Sequence, residues 1–324
     1  MEIIVDELSA NQRIDKLVRR TLNNAPLSFI YKMFRQKDIK VNGKRAKIDY
    51  ITKLGDKINI YIKDDYLKEF SKPKIVKPVK SHMNIIYEDD NLLIVNKPVG
   101  LLVHGDENEK RITLQNIFLN YLIAKGEYDQ NNPTKFVPGP AHRLDRNTSG
   151  IVIFGKNLAT LQKLLELFRT KEHIEKTYLA LLVGHPPKYG KIDYPLIKNN
   201  DKGIVRLGHI EKGAKPAHTE YVVERSMGAY SLVRAKLITG RTHQLRVHFK
   251  AINCPIVGDG KYGNYSVNKK FEMAFGLHNQ MLHAATFEFK DVDGCLKYMS
   301  GKKFEAPLPK KEASILEALK YKEI

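Results

Sequence analysis

The stretch HRLDRNTSG (His142–Gly150) places a single carboxylate, Asp145, between Arg143 and Arg146. The 324-residue chain around it has 55 Lys and Arg residues against 36 Asp and Glu, a formal net charge of +19. Asp145 is therefore either a local counter-ion that ties a basic loop together or the group that performs chemistry. Gly150, which ends the stretch, favours a turned loop whose Thr and Ser shape it and do not react.

The positive charge is the most informative feature of the composition. Each phosphate that a basic protein neutralises releases condensed counterions, so this balance favours a polyanionic partner. Charge alone does not separate RNA, DNA and an anionic membrane. The hydrophobic fraction of 42% and the charged fraction of 28% are ordinary for a globular protein.

The sequence gives little indication of a metal, a nucleotide cofactor or a membrane span. Cys254 and Cys295 form no CxxC pair, and His243 and His248 are poorly spaced for sharing a metal ion. No glycine-rich phosphate-binding pattern is complete, so no cofactor is expected. No apolar run is long enough for a bilayer, and the N-terminus MEIIVDE does not resemble a signal peptide, so a cytoplasmic location is the default expectation.

The first part of the chain, residues 12–62, has the pattern of two helices and a small sheet. Apolar residues recur at helical spacing over 12–22, and a second helix follows. DIKVNGKRA (38–46) contains an Asn-Gly pair that favours a tight hairpin turn, and KINIYI (57–62) alternates like a strand.

The rest of the chain divides into three segments. Residues 63–83 are rich in Lys and Pro without periodicity, which indicates a semi-extended linker. Residues 84–309 contain many strand patterns and few helices, so a mixed, mainly antiparallel α+β sheet domain is predicted. Residues 310–324 are predicted to form a C-terminal surface helix.

The order of elements in residues 12–62 resembles the small RNA-binding domain found in ribosomal protein S-four and bacterial tyrosyl-tRNA synthetases. The resemblance implies that this part docks on structured RNA through backbone and shape, and that it carries no catalytic residue. Basic residues of the first helices and the hairpin are the expected RNA contacts: Arg13, Lys16, Arg20, Arg35, Lys44 and Arg45.

Residues 84–290 resemble the RluA family of pseudouridine synthases. The signature HRLD-x-x-TSG is accompanied, in the order of the family, by NKPVGLLVHG (96–105), KTYLAL (176–181), ITGRTHQLRVH (238–248) and CPIVGD (254–259). Together with the N-terminal unit, this pattern is closest to the RluC branch, which modifies uridines of large-subunit ribosomal RNA. The resemblance implies the pseudouridine synthase fold, ribosomal RNA as the partner and no cofactor.

The resemblance also implies roles for individual residues. Asp145 matches the catalytic carboxylate, and Arg143 matches an arginine that enters the space vacated by the flipped base. Tyr178 matches the tyrosine that stacks on the target base, and Arg246 matches the arginine that pairs with the catalytic aspartate and keeps it charged. Further RNA or active-site contacts are expected from Arg241, His243 and Gln244, with a capping or structural role as the alternative for the last two.

Several alternatives stay open at this point. The carboxylate could attack the sugar or remove a proton from it. A non-catalytic RNA-binding or ribosome-assembly factor would explain the charge but not the HRLD loop, and a pseudouridine synthase acting on tRNA would share the same motifs. A glycosidase would need a second acid, for which no candidate is evident. A monomer is expected.

Overall fold

The computed structural model describes residues 1–6, 9–72, 76–79, 82–105, 111–131, 136–199 and 203–321. The chain forms two compact units. The first comprises Met1–Val79 and Leu119–Pro138, and the second comprises Lys80–Phe118 and Gly139–Ile324.

The first unit packs helices on a small antiparallel sheet, whose strand order is β1-β4-β2-β3. Its apolar core includes Ile14, Ile30, Ile39 and Ile58, all almost completely buried. The elements, in chain order, are β1 (Glu2–Ile4), α1 (Ile14–Thr21), α2 (Leu27–Gln36), β2 (Ile39–Val41), β3 (Lys44–Arg45), β4 (Lys57–Ile60) and α3 (Asp64–Phe70).

The Asn-Gly hairpin turn is present between β2 and β3. Asn42 and Gly43 both have positive φ, 49° and 78°, as a tight two-residue hairpin turn requires. The prediction of a semi-extended linker over 63–83 is wrong at Asp64–Phe70, which is helical. Phe70 is buried in the core of the first unit, its ring 5.0 Å from that of Phe29, so apolar packing fixes a helix that the charged sequence does not suggest.

The second unit is built on one large sheet. Its elements are β5 (Ile85–Glu88), β6 (Leu92–Lys97), α4 (Leu114–Ala124, which continues into the first unit), β7 (Gly139–Pro140), β8 (Ser149–Gly155), α5 (Leu158–Thr170), β9 (Ile174–Val183), β10 (Tyr189–Ile192), β11 (Leu196–Asn199), β12 (Ile204–Leu207), β13 (Thr219–Met227), β14 (Tyr230–Leu237), α6 (Gln244–Ala251), α7 (Tyr265–Phe275), β15 (Leu282–Phe289), β16 (Lys303–Glu305) and α8 (Lys310–Tyr321).

The strand order of the large sheet is β10-β13-β14-β9-β15-β8-β6-β5, with β7 beside β8 and β16 beside β15. All neighbours along this order are antiparallel except β15 and β8, which run parallel. Strands β11 and β12 form a separate hairpin. The predicted fold class, α+β with a mixed and mainly antiparallel sheet, is confirmed.

The C-terminal helix α8 lies within the predicted segment 310–324, of which residues 322–324 are outside the described part. It is not only a surface element, because Ile315, Leu316 and Leu319 are buried in an apolar cluster with Leu181 of β9 and Phe271 of α7. Within the described ranges, no helix is both long and apolar enough to cross a bilayer.

Gly150 allows the two parts of the large sheet to approach each other. Its φ is +111°, and a Cβ at this position would collide with the carbonyl oxygen of Ala284 and lie 2.6 Å from its nitrogen. Ala284 is its partner in the parallel pairing of β8 with β15. A side chain here would therefore push β15 away from the end of the HRLD loop.

We expect Gly150→Ala to lower the free energy of unfolding by about 2–5 kcal/mol, because it combines a backbone collision with an unfavourable φ. Urea unfolding would measure this loss. Gly301→Ala is the matched control, since Gly301 also has a positive φ, +77°, but no atom lies within 4 Å of its built Cβ. Equal losses in both variants would mean that the approach of β15 does not depend on Gly150.

Candidate active site

A cavity of about 300 Å³ opens in the second unit. The loop between β7 and β8, strand β9, and the segment from the end of β14 into α6 form its walls. The cavity brings together every site residue that the sequence predicts for this unit: Arg143, Asp145, Tyr178, Arg241, His243, Gln244 and Arg246. Residues distant in sequence thus converge on one place.

Arg246 links two carboxylates at the base of the cavity. Its Nη1 donates to Oδ2 of Asp145 at 2.9 Å, while Nε and Nη2 donate to the two carboxylate oxygens of Asp259 at 2.7 and 2.8 Å. The predicted contact between Arg246 and Asp145 is therefore present. The neighbouring Arg146 does not take this place, since its Nε donates to the carbonyl of Gly100.

Asp259 is the buried anchor of this network. Its side chain is 0% exposed, whereas that of Asp145 is 25% exposed and accessible from the cavity. Burial alone would raise the pKa of Asp259, but hydrogen bonds and charge from Arg246 and the backbone amides of Lys261 and Tyr262 lower it below its usual range. Asp259 therefore stays ionised and fixes the guanidinium that faces Asp145.

His243 is oriented by a relay of hydrogen bonds. The backbone nitrogen of Val205 donates to the hydroxyl of Tyr262 at 2.8 Å, and that hydroxyl lies 2.8 Å from Nδ1 of His243. Because the hydroxyl accepts from Val205, it can donate its own proton to Nδ1, which leaves the proton of a neutral imidazole on Nε2. Nε2 faces Oδ2 of Asp145 at 3.7 Å, and burial lowers the pKa of His243 despite the opposing charge of Asp145.

Gln244 fits the structural role that was its alternative prediction, and not an RNA contact. Its side-chain oxygen accepts from the Arg241 nitrogen and the Thr239 hydroxyl, and its side-chain nitrogen donates to His218 and Thr219. It is 2% exposed. Its amide is therefore used inside the protein, where it supports the loop before α6.

Tyr178 lies in the centre of the sheet, beside the HRLD loop. Its register partners are Ala235 on β14 and Ala284 on β15, and its own side chain is buried against the cavity. Burial first, and then the charge of Asp145, raise the pKa of the Tyr178 hydroxyl. The phenol therefore remains protonated at neutral pH, and Arg143 is exposed at the rim of the same cavity.

Lys97, in the NKPVG stretch, supports the HRLD loop from behind, a role that its sequence motif did not indicate. Its ammonium is fully buried and donates to the carbonyls of Pro98, Leu101 and Arg146 at 2.9, 2.8 and 3.0 Å. Burial lowers its pKa to about 7, with Asp145 acting in the opposite direction. The carbonyl of Arg146 also accepts from the Gly100 nitrogen, so this stretch holds the main chain next to Asp145.

This pKa predicts a pH-dependent stability. Between about 7 and the usual 10.5, the unfolded chain binds a proton at Lys97 that the folded chain has lost. The free energy of unfolding therefore rises with pH across this window, by at most about 1.4 kcal/mol per pH unit from this group. We expect the stability difference between wild type and Lys97→Met, measured by urea unfolding, to shift in favour of the wild type between about pH 7 and pH 9. A constant difference would show that Lys97 stays an ammonium in the folded protein.

Ser149 and His283 form a hydrogen bond of 2.9 Å that could suggest a hydrolase dyad. Nε2 of His283 lies 2.9 Å from the carbonyl of Ala306, so it carries the ring proton, and Nδ1 accepts from the serine. Both residues are buried, and the cavity beside them is about 10 Å³, room for about one water molecule. The pair therefore has a structural role. In the described part of the chain, no three His, Cys, Asp or Glu side chains are grouped closely enough to hold a metal ion.

The first unit has a cleft of its own, with a volume of about 810 Å³. It brings together three of the residues predicted to bind RNA, Arg13, Arg35 and Arg45, and adds Lys47 and Tyr31. The other three predicted residues do not line it: Lys16 and Lys44 are exposed elsewhere, and Arg20 is half-buried with its Nη2 donating to Ser9.

Comparisons with known proteins agree with this fold and site. Residues 91–251 match the family described as RNA pseudouridylate synthase. The chain is 34% identical over 293 residues to the Ribosomal large subunit pseudouridine synthase C of Vibrio cholerae serotype O1, covering 89% of this chain and 88% of the relative. It is likewise 34% identical over 291 residues to the protein of that name from Escherichia coli strain K12, covering 89% and 87%. The solved structure of Human RNA Pseudouridylate Synthase Domain Containing 4 superposes with a TM-score of 0.58 at 26% identity, covering 73% of this chain and 92% of that one.

The fold is thus that of an enzyme that acts on RNA uridines. The chain belongs to the RNA pseudouridylate synthase family, as the sequence motifs predict.

Proposed function

We propose that this enzyme converts specific uridines of large-subunit ribosomal RNA to pseudouridine, with Asp145 as the catalytic carboxylate. The observation that carries the proposal is that Asp145 is the only carboxylate among the described residues that line the cavity, and that it is held there by Arg246. The ribosomal target is supported by the relatives, which are named for the large ribosomal subunit.

The reaction needs no atom beyond those of the substrate. The bond between N1 of uracil and C1′ of ribose breaks, the base turns, and C5 bonds to C1′. C5 then loses its hydrogen and N1 gains one, so the product is an isomer. Arg246 binds Oδ2 of Asp145, so we assign Oδ1 to the sugar, where it either attacks C1′ or removes a sugar proton.

Other cavity residues would bind the displaced nucleotide. A uridine in folded RNA must leave its stack at a cost of a few kcal/mol. Tyr178 would stack on the flipped base, and Arg143 at the rim would enter the space that the base leaves. Arg241 and His243 would contact the nucleotide, with the Nε2 proton of His243 directed toward Asp145 and its substrate. A second carboxylate for glycoside hydrolysis does not fit, because Asp259 is fully buried behind Arg246.

We also propose that the cleft of the first unit is an RNA anchor. Replacing Arg13, Arg35 and Arg45 by alanine should weaken RNA binding and flatten the slope of log affinity against log salt by about 2 units, since each lost phosphate contact removes about 0.7–0.9. Filter binding at several salt concentrations would measure this slope. A triple alanine variant of the exposed lysines Lys212, Lys297 and Lys310 is the charge-matched control. The same slope in both variants would argue against the cleft.

We propose that the enzyme acts as a monomer. The cytoplasm is the compartment we propose, since bacterial ribosomal RNA is modified there. Pseudouridine mapping of ribosomal RNA and tRNA from cells lacking the protein would test the target. Loss at large-subunit positions, restored by the wild-type gene but not by Asp145→Asn, is expected. Loss only in tRNA, or no loss, would contradict the proposed target.

A further inference from the structure

One wall of the catalytic cavity carries positive charges that exceed the single carboxylate among the described lining residues. Lys171, Lys176 and Arg241, here called the cationic wall, line the cavity together with Arg143 and Arg246. Asp145 is the only carboxylate among its described lining residues, and Arg246 already occupies it. The cationic wall therefore has an excess of positive charge inside the cavity.

The fold holds each of these side chains in place. Lys171 ends α5 in a left-handed conformation, and its ammonium lies against Gly240, where a built Cβ would be 3.3 Å away. The ammonium of Lys176 lies 5.0 Å from the centre of the Phe168 ring. Nε of Arg241 donates to the carbonyl of Pro216, which leaves the other N–H groups of the guanidinium for a ligand.

These charges repel one another. Burial, and then the charge of Arg241, lower the pKa of Lys171; burial, and then the charge of Lys171, lower that of Lys176 to about 8. Burial, and then the charge of Lys176, also lower the pKa of His142. Keeping like charges together in a partly buried place costs free energy, and an anion bound between them would offset that cost.

The position of the wall relative to Tyr178 indicates which anion. Lys176 precedes Tyr178 by two residues on β9, so both side chains point to the same face of the sheet. Their Cα atoms are about 7 Å apart, as the rise of a strand requires. A nucleotide whose base stacks on Tyr178 can span this distance to its own phosphate. Lysine and arginine are the side chains that bind phosphate groups.

We propose that the cationic wall is a phosphate subsite that binds a backbone phosphodiester of the RNA beside the target uridine. The subsite rests on the proposed function, because the phosphate belongs to the same RNA that Asp145 acts on. Held at this wall, the phosphate fixes the position of the attached ribose relative to Asp145. The subsite thus aligns the sugar as well as adding affinity.

The first test uses inorganic phosphate and the full-length protein without RNA. Lys176→Met keeps the unbranched stem on Phe168 and removes the charge, while Lys198→Met changes an exposed lysine of β11 outside the cavity. Calorimetry or NMR titration should show phosphate binding that is at least about fivefold weaker in Lys176→Met and unchanged in Lys198→Met, since one lost ion–phosphate contact of about 1 kcal/mol has this effect. Equal binding by all three proteins would overturn the subsite.

The second test uses an RNA fragment with a target uridine and a single uncharged methylphosphonate at one neighbouring linkage. For the wild type, kcat/KM should be about tenfold lower with the methylphosphonate at one particular linkage than with the unmodified RNA. For Lys176→Met, the same methylphosphonate should not lower kcat/KM. Equal sensitivity of both proteins would overturn the subsite. Phosphate binding that depends on Lys176, in a protein that modifies no large-subunit RNA, would instead contradict the proposed function and leave the anion site in place.

Discussion

Asp145→Asn is expected to abolish pseudouridine formation while RNA binding persists. The amide has the shape of the carboxylate but neither its charge nor its ability to attack the sugar or accept a proton. Removal of a catalytic group of this kind lowers turnover on the order of 10⁴-fold or more. Release of tritium from C5-labelled uridine in large-subunit RNA would measure the loss.

The variant should also fold normally, because the side chain is partly exposed and an asparagine oxygen can still accept from Arg246. RNA affinity within about twofold of the wild type, corresponding to about 0.4 kcal/mol, is the expected control result. Turnover retained in Asp145→Asn would contradict the assignment of the carboxylate. Lost turnover together with lost affinity would point to a binding role.

Arg246→Met is expected to have the largest effect on stability as well as a loss of activity. It leaves Asp259, whose side chain is 0% exposed, without its bidentate partner. Breaking a buried ion pair by removing one partner costs about 3–5 kcal/mol, because an uncompensated charge stays buried. Urea unfolding would measure the stability, and the tritium assay the activity.

The double variant Arg246→Met with Asp259→Asn separates the two roles of the arginine. It removes the buried charge, so most of the lost stability should return. Activity should stay low, because Asp145 still lacks its counter-charge. A double variant as unstable as the single one would show that the charge of Asp259 is not the source of the loss, and recovered activity would contradict the pairing with Asp145.

The resemblance to the RluA family was sufficient to predict the contact between Asp145 and Arg246, although 101 positions separate them. That prediction depended on motifs that occur in a fixed order, and not on periodicity. Alternating apolar residues predicted strands such as β4, and the Asn-Gly pair predicted the hairpin turn. The local pattern missed α3, whose Phe70 is held by packing against Phe29. Such packing depends on tertiary contacts that a local pattern does not contain.

The residues behind the site were missed for a similar reason. Asp259 ends the CPIVGD stretch, but no role was predicted for it, because no local pattern shows that it faces Arg246. Tyr262 and Lys97 act through hydrogen bonds to the His243 ring and to the main chain at Arg146. A stretch that ends in Gly-Asp, and a lysine at the end of the mostly apolar strand β6, were the available signals.

The position of β15 has a consequence for the making of the protein. This strand joins the half of the sheet that carries the Asp145 loop to the half that carries Tyr178. Arg246 and Tyr178 line the same cavity. Because β15 begins only at Leu282, a chain still on the ribosome has no strand to connect the two halves until most of it has been synthesised. The Asp145 loop and Tyr178 are therefore joined through one continuous sheet only late in biosynthesis.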